Sequence, residues 1–69
     1  MEIEYHERLK LVTSIGILHG LFHLCKEGGY IGWLEERPNI IVQAESLNEA
    51  IDELLISLDC VLRYEKENG

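Results

Sequence analysis

Three side chains with donor chemistry lie close together in the chain: His19, His23 and Cys25. If the segment around them is extended, His19, Leu21, His23 and Cys25 share one face, because successive side chains of a strand alternate. Same-face neighbours sit about 6.8 Å apart, so His23 and Cys25 could share one ion while His19 and Cys25 could not. That makes two ligands, or three if His6 joins them, against the four that a structural zinc site uses. A Cys–His nucleophile pair would also require an orienting third group and a concave site. The pattern predicts polar groups on a half-exposed sheet face, with no catalytic residue, metal or cofactor.

Carboxylates are the other candidates. Glu35 and Glu36 are adjacent, and within a strand they would point to opposite faces. Glu49, Asp52 and Glu53 fall on the solvent side of a helical wheel. A solvated charged face explains such runs, and docking of a basic partner is the functional alternative. Trp33 is the only tryptophan. In an extended segment Tyr30 and Leu34 lie on one face and Ile31 and Trp33 on the other, which is more than a single helix can cover. An uncovered apolar sheet face marks an interface, and Trp and Tyr are common anchors of one, with core packing the competing reading for Trp33. Ile56 and Cys60 point away from the apolar stripe of the C-terminal segment and suggest a second contact surface.

The elements that would position these residues are readable in part. Ser46-Leu47-Asn48-Glu49 has the form of a capping box, in which Ser46 accepts from the backbone N–H of Glu49. Leu47, Ala50, Ile51, Leu54, Leu55, Leu58, Val61 and Leu62 then recur at helical spacing, predicting a helix over 47–64. Gly28-Gly29 reads as a hairpin turn between strands at 18–26 and 30–35. Arg37-Pro38-Asn39 reads as a turn before a third strand, Ile40–Ala44. The expectation is an α+β domain, βββα: a three-stranded antiparallel sheet over 18–44 with one C-terminal helix packed on one face. Residues 1–17 form an N-terminal extension of unassigned structure. Leu9, Leu11, Ile15 and Ile17 share strand parity, which favours an extended segment from about Leu9, while Glu2–Leu11 is also acceptable as a helix.

Composition narrows the class. With 69 residues the chain is one domain with a small core, and such scaffolds lean on disulfides, metals or oligomerisation. Two cysteines make no framework, so a homo-oligomer is expected. Net charge is −7, with −1 over residues 1–27 and −6 over 28–69. That balance disfavours direct nucleic-acid binding and favours a basic protein partner. The start lacks a basic signal-peptide region, and Ile15–Leu24 is too short and interrupted to span a bilayer, which predicts a cytoplasmic protein with reduced thiols and no membrane contact.

The order Gly28-Gly29-Tyr30-Ile31-Gly32-Trp33-Leu34-Glu35-Glu36-Arg37-Pro38, then a strand, then Gln43-Ala44-Glu45-Ser46-Leu47-Asn48-Glu49-Ala50, resembles the HicB-like antitoxin family. The resemblance covers about half the chain. Asn39 stands where the family's turn has glycine, Ala44 where glycine precedes its helix, and Ser46 in place of a capping threonine. If that glycine needs a positive φ, Ala44 implies an altered junction. The resemblance implies a βββα, partly ribonuclease-H-like domain that oligomerises. It also implies an antitoxin role, in which the domain covers a small basic RNA-cleaving toxin of the HicA type. The chain ends at the helix, so operator binding through a further domain is not expected. By this likeness Tyr30, Trp33, Glu35, Glu36 and Arg37 become candidate partner contacts. The alternative is a stand-alone oligomeric binding module of the same fold without a toxin partner.

Overall fold

The alternation that suggested one long N-terminal strand is broken by a turn. In the computed structural model, which describes residues 7–68, β1 (Glu7–Thr13) and β2 (Gly16–Leu24) form an antiparallel hairpin. The Thr13 hydroxyl accepts from the N–H of Ile15 at 3.2 Å and donates to the carbonyl of Gly16 at 2.6 Å. Gly16 adopts φ 108°, a conformation available to glycine at little cost. The turn changes which parity faces the core. Leu11 pairs with Leu18, and both are buried, whereas Ile15 and Ile17 are exposed. The segment favoured as extended from about Leu9 is an edge strand that begins at Glu7, and the expected sheet is corrected from three strands to four. The helical option for Glu2–Leu11 is excluded over 7–11, and its earlier part lies outside the described residues.

The remaining elements follow in order: β3 (Tyr30–Leu34), β4 (Ile41–Ala44) and α1 (Leu47–Asn68). The sheet is a meander, β1-β2-β3-β4, with each neighbouring pair antiparallel. Gly28 and Gly29, at φ 93° and 83°, make the β2–β3 turn, closed by Cys25 N–H to the Gly29 carbonyl and Gly28 N–H to the Cys25 carbonyl, both 3.0 Å. Cys25 thus belongs to the turn and not to the strand carrying His19 and His23, which corrects the expected common face. Among the described residues only glycines have positive φ. Asn39 and Ala44 are therefore ordinary, and Ala44 closes β4 opposite Tyr30.

The Ser46 cap forms as its residue type requires, with Oγ accepting from the Glu49 N–H at 3.2 Å. The helix runs on to Asn68, four residues beyond the predicted end, since no glycine or proline intervenes. It lies over β4 and β3 and reaches β2. Phe22 is the centre of the core, fully buried with Leu34, Leu54, Leu58 and Ala50. Its ring lies over Gly20 and Gly32, where an added Cβ would sit 2.8 Å from ring carbons. Two glycines facing one phenylalanine make the sheet thin enough for the ring to lie flat beneath α1. No helix among the described residues is long and apolar enough to cross a membrane.

Candidate functional site

The polar candidates separate into two groups at different places. The first is at the end of β2 and β3. In the sheet register Gly20 pairs with Leu34, so His19 meets Glu35, and the Glu35 N–H donates to the His19 carbonyl at 2.9 Å. The β2–β3 ladder ends at Gly20 and Leu34, one pair short of the rung in which a backbone carbonyl would answer the His19 N–H. The Glu36 carboxylate takes its place: the His19 N–H donates to Oε1 at 2.8 Å and the ring Nδ1 to Oε2 at 2.5 Å. Glu36 thus extends the ladder by one rung with its side chain.

Glu35 lies on the outer sheet face and is held by Arg8 of β1, Nε and Nη2 each donating to one oxygen at 2.9 Å. This forked pair reaches across β2. The Arg8 guanidinium holds the Glu35 carboxyl below the usual carboxylate range. The His19 ring, and then its backbone N–H, do the same for Glu36. The two carboxylates, expected on opposite faces, are instead brought together, because the chain departs from strand geometry after Leu34.

His19, Glu35 and Glu36 each place one potential ligand atom within 4.8 Å of the others. Chemically the site is already complete. Both Glu35 oxygens accept from Arg8, both Glu36 oxygens accept from His19, and the counter-charge an ion would supply is the guanidinium. Arg37 serves the same region from the β3–β4 turn, its Nη1 lying 3.2 Å from Glu65 Oε1 and tying the turn to the last turns of α1.

The second group is a shallow, open groove of about 700 Å³. Glu27 and the Gly28-Gly29 turn form one side, and Glu45, Glu49 and Glu53 the other. The β3–β4 register makes it: pairing Tyr30 with Ala44 sets the β2–β3 turn beside the entry to α1. A Cβ built on Gly29 would stand 3.0 Å from the Ala44 carbonyl oxygen and 3.9 Å from the Glu45 Cα. Among the described residues none of these four carboxylates forms an ion pair. Glu49 has a local role as well, since an acid in the first turn suits the helix dipole.

The five residues expected as partner contacts do not make one surface. Tyr30 faces the helix and packs against the core. Trp33 lies on the opposite face, half-buried, in register between Leu21 and Ile41. Glu35, Glu36 and Arg37 are engaged with Arg8, His19 and Glu65. The sequence reading did not single out Arg8, Glu27 or Glu45. Glu27 precedes the turn glycines and Glu45 precedes the cap residue, and only strand register brings the two together.

No protein-family model, curated protein or solved structure matches the chain. The site's meaning accordingly rests on its geometry.

Proposed function

We propose that the chain is a partner-binding domain of the HicB-like antitoxin kind, and that its groove takes basic side chains of a small RNA-cleaving toxin of the HicA type. The observation that carries this reading is the set of four carboxylates, Glu27, Glu45, Glu49 and Glu53, lining one groove without an ion pair of their own among the described residues. Unpaired like charges held together repel one another, and a cationic partner relieves that cost. The net charge of −7 adds long-range attraction for such a partner. The motif order of residues 28–50 supplies the antitoxin part of the reading.

Binding is favoured over catalysis by the contents of the groove. Besides the glutamates it is lined by Gly28, Gly29, Gln43 and Ala44, which offer no nucleophile. His19 lies elsewhere and has its Nδ1 committed to Glu36.

Co-expression with the product of an adjacent small basic open reading frame tests the proposal. The expected result is a stable complex and rescue of growth from the toxin, both lost as salt rises or when Glu27, Glu45 and Glu53 become glutamine. A complex that forms unchanged with the triple variant, or no complex and no rescue, overturns it.

A further inference from the structure

The two edges of the sheet differ. β4, at one edge, has four residues and leads within two residues into the cap of α1. β1, at the other, has seven, and among the described residues β2 is its strand partner on one side only. An edge strand aims a row of backbone N–H and C=O groups outward, and an extended segment can pair with them. Residues 9–12 make no backbone hydrogen bond to a turn or loop among the described residues, so nothing described closes that row. Proteins blunt such edges with proline, a bulge, an overlying helix or charge. β1 holds no proline, and its register with β2 runs unbroken from Glu7 to Thr13. α1 lies over β4, β3 and β2. Charge is the remaining device, and on β1 it is cationic, with Arg8 and Lys10 against Glu7.

The side chains decide what can pair there. Leu9 and Leu11 pack with the core, so Arg8, Lys10 and Val12 take the outer side by alternation. The Arg8 guanidinium is held by Glu35. Lys10 is exposed and forms no ion pair among the described residues. Opposite charges facing each other across a ladder stabilise it, and like charges oppose it. A second copy pairing antiparallel along all of β1 would set Lys10 directly against the same lysine of that copy. A strand of alternating acidic and apolar residues instead places a carboxylate opposite Lys10 and apolar groups beside Leu9 and Leu11. It also shields Val12, which is 82% exposed.

We infer that β1 is a docking edge for an extended segment of another protein in which acidic and β-branched apolar residues alternate, added as a fifth strand of the sheet. Backbone bonds supply the attachment, Lys10 selects the charge, and Leu9 and Leu11 select the face turned to the core. The groove draws its lining from the β2–β3 turn, β4 and the start of α1, and from no residue of β1. It also asks for the opposite charge, so the edge does not rest on the antitoxin reading.

The test uses the full chain and a capped peptide of alternating valine and glutamate, long enough to span β1. Amide exchange followed by NMR is expected to slow at alternate residues of 7–13 as peptide is added, with a dissociation constant on the order of 0.1 to 1 mM. A valine–lysine peptide of the same length should bind at least about 3-fold more weakly, and Lys10→Glu should reverse that preference with an unchanged circular-dichroism spectrum. Methylating the backbone nitrogens of either the valines or the glutamates, one set and not the other, should abolish binding, because only one edge of the peptide faces β1. No protection along β1 at millimolar peptide overturns the inference. So does equal binding of the two peptides, or binding that survives methylation of either set. Protection that grows with the concentration of the chain alone gives the edge to a second copy and overturns it as well. The groove variant with Glu27, Glu45 and Glu53 changed to glutamine should bind the valine–glutamate peptide as the parent does, whether or not a toxin complex forms; loss of the peptide there would place it in the groove and refute the edge.

Discussion

Two groups of glutamates, similar in exposure, have opposite relations to the rest of the chain. At the end of β3, Glu35 and Glu36 each hold a base of their own chain, Arg8 and His19, and both carboxyls lie below the usual range for that reason. In the groove, Glu27, Glu45, Glu49 and Glu53 stand together with no ion pair among the described residues. The first group uses its charge to finish a sheet. The second leaves its charge unspent. Acidity alone therefore does not locate a binding surface, and what distinguishes the two is whether the counter-charge is internal.

The comparison is broken most directly at the groove. Changing Glu27, Glu45 and Glu53 to glutamine removes three like charges while Glu49 keeps its place in the helix's first turn. Titration calorimetry with a basic partner is expected to show affinity reduced about 10- to 100-fold, with Tm unchanged or slightly raised. A drop in Tm with affinity preserved would reverse the two roles.

The next largest effect falls on stability. Glu36→Ala removes both acceptors of His19, including the one that answers its backbone N–H. Thermal unfolding should show Tm lower by several degrees, and partner affinity within about twofold of the parent protein. Loss of binding with no change in Tm would move Glu36 into the second group.

Acid should separate the groups as well. The Glu35 and Glu36 carboxyls are depressed in the folded chain, so near the ordinary carboxylate value, about 4.3, the unfolded chain binds more protons. Their contribution is fully present above that value and is lost as pH falls through the lower, folded values. Tm measured against pH should fall across that window, and the fall should shrink in Glu36→Ala. An equal fall in the variant would assign the acid sensitivity to other groups.

The smallest effect belongs to Arg8 and Glu35. The pair is forked but exposed, and exposed ion pairs contribute little. Glu35→Gln should change Tm by about 1 °C or less. Its clearer signature is a rise in the mobility of Arg8 Nε by NMR relaxation. A retained, rigid guanidinium would show that something other than Glu35 holds it.

Local chemistry was legible where a feature closes within a few residues. Ser46 opens the helix, Gly28-Gly29 makes a tight turn, and the apolar spacing after Leu47 chooses the buried stripe. The α+β class with an antiparallel sheet and a C-terminal helix follows from these features. The first strand was legible only as an extended stretch from about Leu9, and its turn and its place in the sheet were not, because its signal is ambiguous. Leu9 and Leu11 share parity with Ile15 and Ile17, and only the Thr13–Gly16 turn shows that the core face changes parity after it.

What the residues determined by themselves are the turns, the cap, the helix stripe and an excess of negative charge. Those depend on short-range geometry and on totals. Tertiary structure decided which carboxylates are neutralised and which are left open. Arg8 reaches Glu35 across β2, and Glu27 meets Glu45 across the β3–β4 register. Contacts between residues so far apart in the chain exist only after the strands have chosen partners, and the interaction of a charge depends on what stands within a few ångströms of it.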